Sequence, residues 1–273
     1  MVFRPHRRSL GLKPTRPLVS ALILSLMLST TAFNPVQPQA VEAKTAPRPD
    51  LGDAPDSNNN FAVAMQYFPS SGSAQFPTVF FAGTQPTGPK HFNTQTLYFL
   101  GTSSIGGGIT CEDQADVGAD CDGPNNLDPG ANVADQDRGD DGPDWTSLGP
   151  ITGCQPMQYK YLVTVLPGAP TTAYVNSWYD FNQSGRWGDI FPCGRFTVDE
   201  WIVQNQLITF PGPGVYAFAT PVFQAAQNPS TDRRWARITL SDTPLPNTVP
   251  SHMGSGPAQG WVLGETEDYQ LLN

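Results

Sequence analysis

The chain has 273 residues, of which 26 are Gly and 28 are Pro; 14% are charged and the formal net charge is -9. A surface this acidic repels nucleic-acid phosphates and anionic lipid headgroups, so neither is an expected partner. Frequent Gly and Pro argue against long helices, while an aromatic fraction of 11% is enough to build a core.

The first 17 residues carry Arg4, Arg7, Arg8, Lys13 and Arg16 and no acid, and an uncharged apolar run from Leu18 to Leu28 follows. Basic, then apolar, then small residues is the layout of an export signal, and the run is short for a bilayer-spanning helix. Residues 1–43 are read as a signal peptide cleaved after Ala43, with Thr30-Thr31-Ala32 as the competing site. Its removal leaves 10 basic against 23 acidic residues, a net charge of -13. The mature chain is expected to be secreted, with no membrane span after cleavage.

Residues 44–157 read as a loop-rich, acidic N-terminal region. Pro47, Pro49 and Pro55 make Lys44–Asn60 an extended lead-in, and short β-prone pieces follow at Val79–Phe81 and Thr96–Leu100. From Glu112 to Asp144 the chain carries eleven acids and a single opposing Arg138. Wrapped around calcium these carboxylates would be ordered; without a cation they would form a solvated acidic linker. Cys111, Cys121, Cys154 and Cys193 make an even count, which in an exported chain reads as two disulfides. Of three possible pairings, Cys111–Cys121 and Cys154–Cys193 are preferred. The zinc alternative lacks paired short spacings and finds only His91 and His252 as further ligands.

From residue 158 to 273 the pattern changes to strands. Tyr159–Leu166 is β-branched and aromatic and stops at Pro167-Gly168, and Ala173–Phe181 alternates, with Tyr174, Asn176, Trp178 and Asp180 on one face. Further strands are expected at Leu207–Phe210, Val215–Phe218, Arg234–Leu240 and Tyr269–Leu272, separated by Gly/Pro turns. The expected fold is all-β, a jelly-roll-like β-sandwich.

Asp180, Asn182 and Ser184 place side-chain oxygens at alternating positions, and Gly185 stands sixth, as in the first half of a calcium loop. Phe191 stands where an EF-hand has its bidentate Glu, so Asp189 or a distant carboxylate must complete the shell. The candidate metal set is Asp180, Asn182, Ser184, Arg186, Asp189, Glu265 and Glu267; the alternative is an ion-free polar turn. On a strand, Glu265 and Glu267 share one face and Asp268 takes the other; an Arg237–Glu267 ion pair is the structural alternative to a metal role. Trp178, Trp187, Trp201, Trp235 and Trp261 suit either sugar stacking or core packing.

Four motifs in order, Trp178–Trp187, Glu200-Trp201, Trp235–Ser241 and Gly264-Glu-Thr-Glu267-Asp268-Tyr269, resemble the GEVED domain over roughly Tyr159 to Asn273. Asp50-Leu-Gly-Asp53-Ala-Pro-Asp56-Ser57 is similar to what often precedes that domain. The resemblance implies a β-sandwich module of secreted or cell-surface bacterial proteins, with an adhesive or structural rather than catalytic role. Ser184 stands where the family commonly has Asp, which weakens any ion held there, and Thr266 replaces the Val of the family name. No sorting signal or carboxy-terminal anchor follows, so a released module is expected. The expected function is therefore a non-catalytic, calcium-binding adhesive protein whose partner is a cell-surface or extracellular glycan or protein. A self-assembling extracellular subunit is the alternative. Glycoside hydrolysis is less favoured because no carboxylate pair stands out, and His252 lies in no nucleophile-turn motif.

Overall fold

The computed structural model describes residues 50–56, 74–102, 109, 140–226 and 234–271, all within the compact unit Pro38–Asn273. The expected signal peptide, the Cys111–Cys121 bridge and the acidic run as far as residue 139 lie outside the described residues. The protein is a β-sandwich. The strands among the described residues are β1 (Tyr98–Leu100), β2 (Pro143–Asp144), β3 (Pro156–Met157), β4 (Lys160–Val165), β5 (Thr172–Tyr179), β6 (Ile190–Cys193), β7 (Phe196–Asp199), β8 (Val203–Thr209), β9 (Gly214–Ala219), β10 (Phe223–Gln224), β11 (Arg234–Ser241) and β12 (Gly264–Leu271). The described helices are one turn each, a 3-10 turn at Trp145–Leu148 and α1 at Val249–His252.

One antiparallel sheet has the order β12-β11-β5-β8, and the second is built on β4, with β1 and β2 along one edge and β9 along the other. Strands from both sides of the 157/158 boundary thus share one sheet, and the expected N-terminal region is not separate from the sandwich. Val79–Phe81 is not a strand but leads into a turn, where Phe81 donates its amide to Thr87 Oγ1. The β6–β7 hairpin, the two-residue β3–β10 pair and the early start of β12 are absent from the sequence reading.

Alternation along the first sheet explains two cores. Val175, Ile238, Leu240 and Tyr269 face inward and meet Leu100, Tyr161 and Val163 from the second sheet. The opposite face carries Trp178 and Trp235, packed with Phe76, Trp187, Trp201, Leu245 and Trp261 into a buried aromatic layer. The rings of Trp178 and Trp201 stack 5.8 Å apart, and Arg237 lies 4.7 Å over Trp187. All five tryptophans of this layer are buried. Core packing is their role, and none offers a face to a sugar.

A strap at residues 50–56 closes over β12. Asp50 exchanges main-chain hydrogen bonds with His91, and Asp50 Oδ2 accepts from Thr266 N. Ala54 N donates to Asp268 Oδ2, and Asp56 Oδ2 accepts from the amides of Thr78 and Val79. Gly52, at φ 114°, passes so close that a Cβ there would sit 2.8 Å from Asp268 Oδ2. Burying these aspartates is tolerable because amides that lack strand partners need acceptors.

Candidate functional site

Strand β5 ends at Tyr179 because Asp180 redirects the chain. Its carboxylate is buried and accepts from two later amides, Ser184 N on Oδ1 and Gly185 N on Oδ2, both at 3.1 Å. Gly185 takes φ 78°, the left-handed conformation that its place in the loop requires. Asn182 Oδ1 also accepts from Ser184 N, and the Ser184 hydroxyl donates to the Arg186 carbonyl at 3.1 Å. Asn182 Nδ2 and the Arg186 guanidinium both donate to the Asp189 carboxylate, at 2.9 and 3.3 Å. Gln75 N ties the loop to the strap side by donating to Gly185 O.

Glu200 sits behind the loop. Its two carboxylate oxygens accept from Phe181 N and Asp189 N at 3.0 Å each, while Glu200 N donates to Asp189 O. Burial is the main reason its carboxyl is pushed up to about 9, and the charges of Asp180 and Asp189 add to the push against the two amide bonds. Burial also acts to raise Asp189, but hydrogen bonds from Asn182 and Ser184 and the nearby Arg186 outweigh it, and the net shift is downward. Three carboxylates therefore share one corner, with the half-exposed Arg186 as the cation paired to it.

The structure brings together five of the seven expected metal residues: Asp180, Asn182, Ser184, Arg186 and Asp189. It places Glu265 and Glu267 elsewhere, on the inner face of β12. Glu265 Oε2 accepts from Leu100 N at 2.6 Å; Glu267 accepts from Asp141 N, Gly142 N and the Tyr269 hydroxyl. Burial holds both well above the usual carboxylate range, helped at Glu265 by the charges of Glu267, Asp50 and Asp141 and at Glu267 by that of Asp141. Their alternation with Asp268 is as the strand pattern predicts, but the ion pair is different. Arg237 lies opposite Asp268 in register and bonds it, because Glu267 points through the other face of the sheet.

The donor set suits calcium in kind: two carboxylates, an amide oxygen, a hydroxyl, a main-chain carbonyl, and Glu200 at hand. In the structure those oxygens are engaged by loop amides and Arg186, and among the described residues no three His, Cys, Asp or Glu side chains converge as a cage. Glu200 is the residue the sequence reading missed as a carboxylate of this corner. Its pairing with Trp201 in the motif was visible, but its return to the loop depends on the β6–β7 hairpin, which brings residue 200 back beside residue 189.

That hairpin is the element the loop supports. It leaves at Asp189, returns at Glu200 and is anchored near its tip by the Cys154–Cys193 disulfide. Ile190 and Phe196 are exposed on it. An open groove of about 330 Å³ runs beside β7, lined by Phe196, Asp199, Trp201, Ile202, Gln204 and Phe223.

Both described histidines are engaged by neighbouring groups within the fold. His91 is buried, stacked on Trp261, and bonded to Leu263 O and Thr266 Oγ1; burial lowers it to about 3, so it is neutral. His252 has Asp199 Oδ2 on one ring nitrogen and Asn247 Oδ1 on the other, so neither nitrogen faces a nucleophile. No described helix is long and apolar enough to cross a membrane. Comparison of the chain with family models, curated proteins and solved structures found no match.

Proposed function

We propose that the chain is an exported, non-catalytic binding module in which a calcium ion at the 180–189 loop stiffens the β6–β7 hairpin for adhesion to an extracellular glycan or protein. The observation that carries this reading is the corner where Asp180, Asp189 and Glu200 meet at both feet of the hairpin. A divalent cation offsets the burial penalty and the added repulsion that raise Glu200, and it takes the place of the Arg186 guanidinium on Asp189. The Cys154–Cys193 bridge supports an oxidising compartment, and the motif resemblance to GEVED modules supports an adhesive role. With the tryptophans buried, the contact surface falls to the hairpin and its groove, where Phe196 is exposed.

Thermal melts in calcium and in EDTA test the reading. Calcium is expected to raise the melting temperature of the wild type by mass action and to leave Asp180→Ala almost unmoved. Equilibrium dialysis that recovers no bound divalent ion at millimolar concentrations would overturn it.

A further inference from the structure

The two sheets end differently at their edges. The outer edge of β12 is sealed: Thr266 N is held by Asp50 Oδ2, and Gly264 exchanges bonds with the Asn93 side chain. Strand β9 has no such cover among the described residues, where it pairs with β4 alone. The main-chain groups of Leu162 and the amide of Leu166 are turned toward Gly142, Gly101 and Leu97 on the far side of β4. Tyr161, Val163 and Val165 therefore bond Phe218, Tyr216 and Gly214, and the amides and carbonyls of Val215 and Ala217 point outward. Among the described residues, Ala219 O alone of the outward carbonyls receives a side chain, Gln206 Nε2 at 2.8 Å.

Proteins ordinarily guard such an edge with charge, proline or a bulge. Here the charge is missing, since between Glu200 and Asp232 there is no Asp, Glu, Lys or Arg in a chain that is otherwise strongly acidic, and the prolines, Pro213 and Pro221, flank β9 without entering it. Leu207 on β8, Val215 on β9 and Val222 just beyond are 56%, 54% and 64% exposed along this stretch.

We infer that β9 is a self-association edge, pairing antiparallel with β9 of a second copy across a two-fold axis at Ala217. A second copy fits because the row of outward amides and carbonyls needs another strand, and the Gly-Val-Tyr-Ala-Phe-Ala segment is complementary to itself. Ala217 meets Ala217, and Val215 of one copy lies opposite Ala219 of the other, so small side chains allow close approach. Two molecules of net charge -9 repel over most of their surfaces, and this neutral side is where they meet without that cost. The inference does not depend on calcium.

Sedimentation velocity of the purified chain over a wide concentration range, in EDTA so that no cation bridges acidic surfaces, tests it. A concentration-dependent dimer is expected. Val215→Lys, which sets a charge on the exposed face at the edge, should weaken association at least tenfold with the melting temperature unchanged. Ala217→Pro, which removes an outward amide and no internal ladder bond, should do the same. A wild type that stays monomeric throughout overturns the inference and leaves the edge to a strand of another protein. A dimer that Val215→Lys leaves intact overturns it too, by placing the interface elsewhere.

Discussion

Arg237 on β11 and Asp268 on β12 stand opposite one another in register and meet as a fully buried fork, Nε to Oδ1 at 2.7 Å and Nη2 to Oδ2 at 2.5 Å. The remaining guanidinium donors reach Pro77 O, Gly254 O and Thr78 Oγ1, and Asp268 also receives Ala54 N. One ion pair thus joins the sheet to the strap, to the 77–78 segment and to the loop after α1. Satisfying every donor is what makes burying the charge tolerable.

Removing one partner leaves the other a buried charge without its counter-ion. Asp268→Ala is expected to destabilise the fold by about 3–5 kcal/mol, the range for breaking a buried pair, measured by urea unfolding. Arg237→Lys should also destabilise, because a point charge cannot reproduce the fork. Wild-type stability in either variant would show that the pair contributes little.

Stability should peak in mildly acidic solution when calcium is absent. His91 is held neutral, at about 3 against an ordinary 6.5, so its contribution is complete above 6.5 and drains as the pH falls toward 3. Glu200 acts in the opposite sense: held protonated up to about 9 against an ordinary 4.5, it contributes fully below 4.5 and loses that contribution as the pH rises toward 9. Glu265 and Glu267, both raised, steepen the alkaline loss. Melting temperatures taken across this span should therefore fall on both sides of a maximum between about 4.5 and 6.5. Calcium should flatten the alkaline side, because a cation favours the ionised Glu200. A profile indifferent to calcium above neutrality would count against Glu200 belonging to the ion's surroundings.

The Cys154–Cys193 bridge spans 39 residues. On the chain-entropy account, opening a loop of that size costs about 4 kcal/mol. A Cys154→Ser/Cys193→Ser double variant should lose roughly that much in denaturant unfolding. Cys193 is buried against the main core, so the effect should extend beyond the hairpin.

The strands were legible where side chains alternate or branch. Tyr159–Leu166 and Ala173–Phe181 contain β4 and β5 nearly whole, and Arg234–Leu240 falls within β11. The sequence favours Cys154 with Cys193 as a pair, and the structure joins them. The carboxylates were harder to place, since acids ordinarily mark solvent and their burial depends on amides supplied from far along the chain. Glu265 accepts from Leu100, and Glu267 from Asp141 and Gly142; no local pattern around residue 265 announces those donors. The same holds for the Asp50–Asp56 strap, which resembled a lead-in and is instead buried against the sheet. Asp180 with Gly185 was readable because both bonds close within five residues. Glu200 was not, because a hairpin intervenes.

The strap-to-β12 bonds join residues 214 and 216 positions apart. The ribosome delivers the strap long before β12, so the tryptophan layer stays wet until β12 has emerged. Such non-local closure belongs to the slow, millisecond-to-second class of folding topologies. Until β12 arrives, the strap and the aromatic layer have no surface to close against.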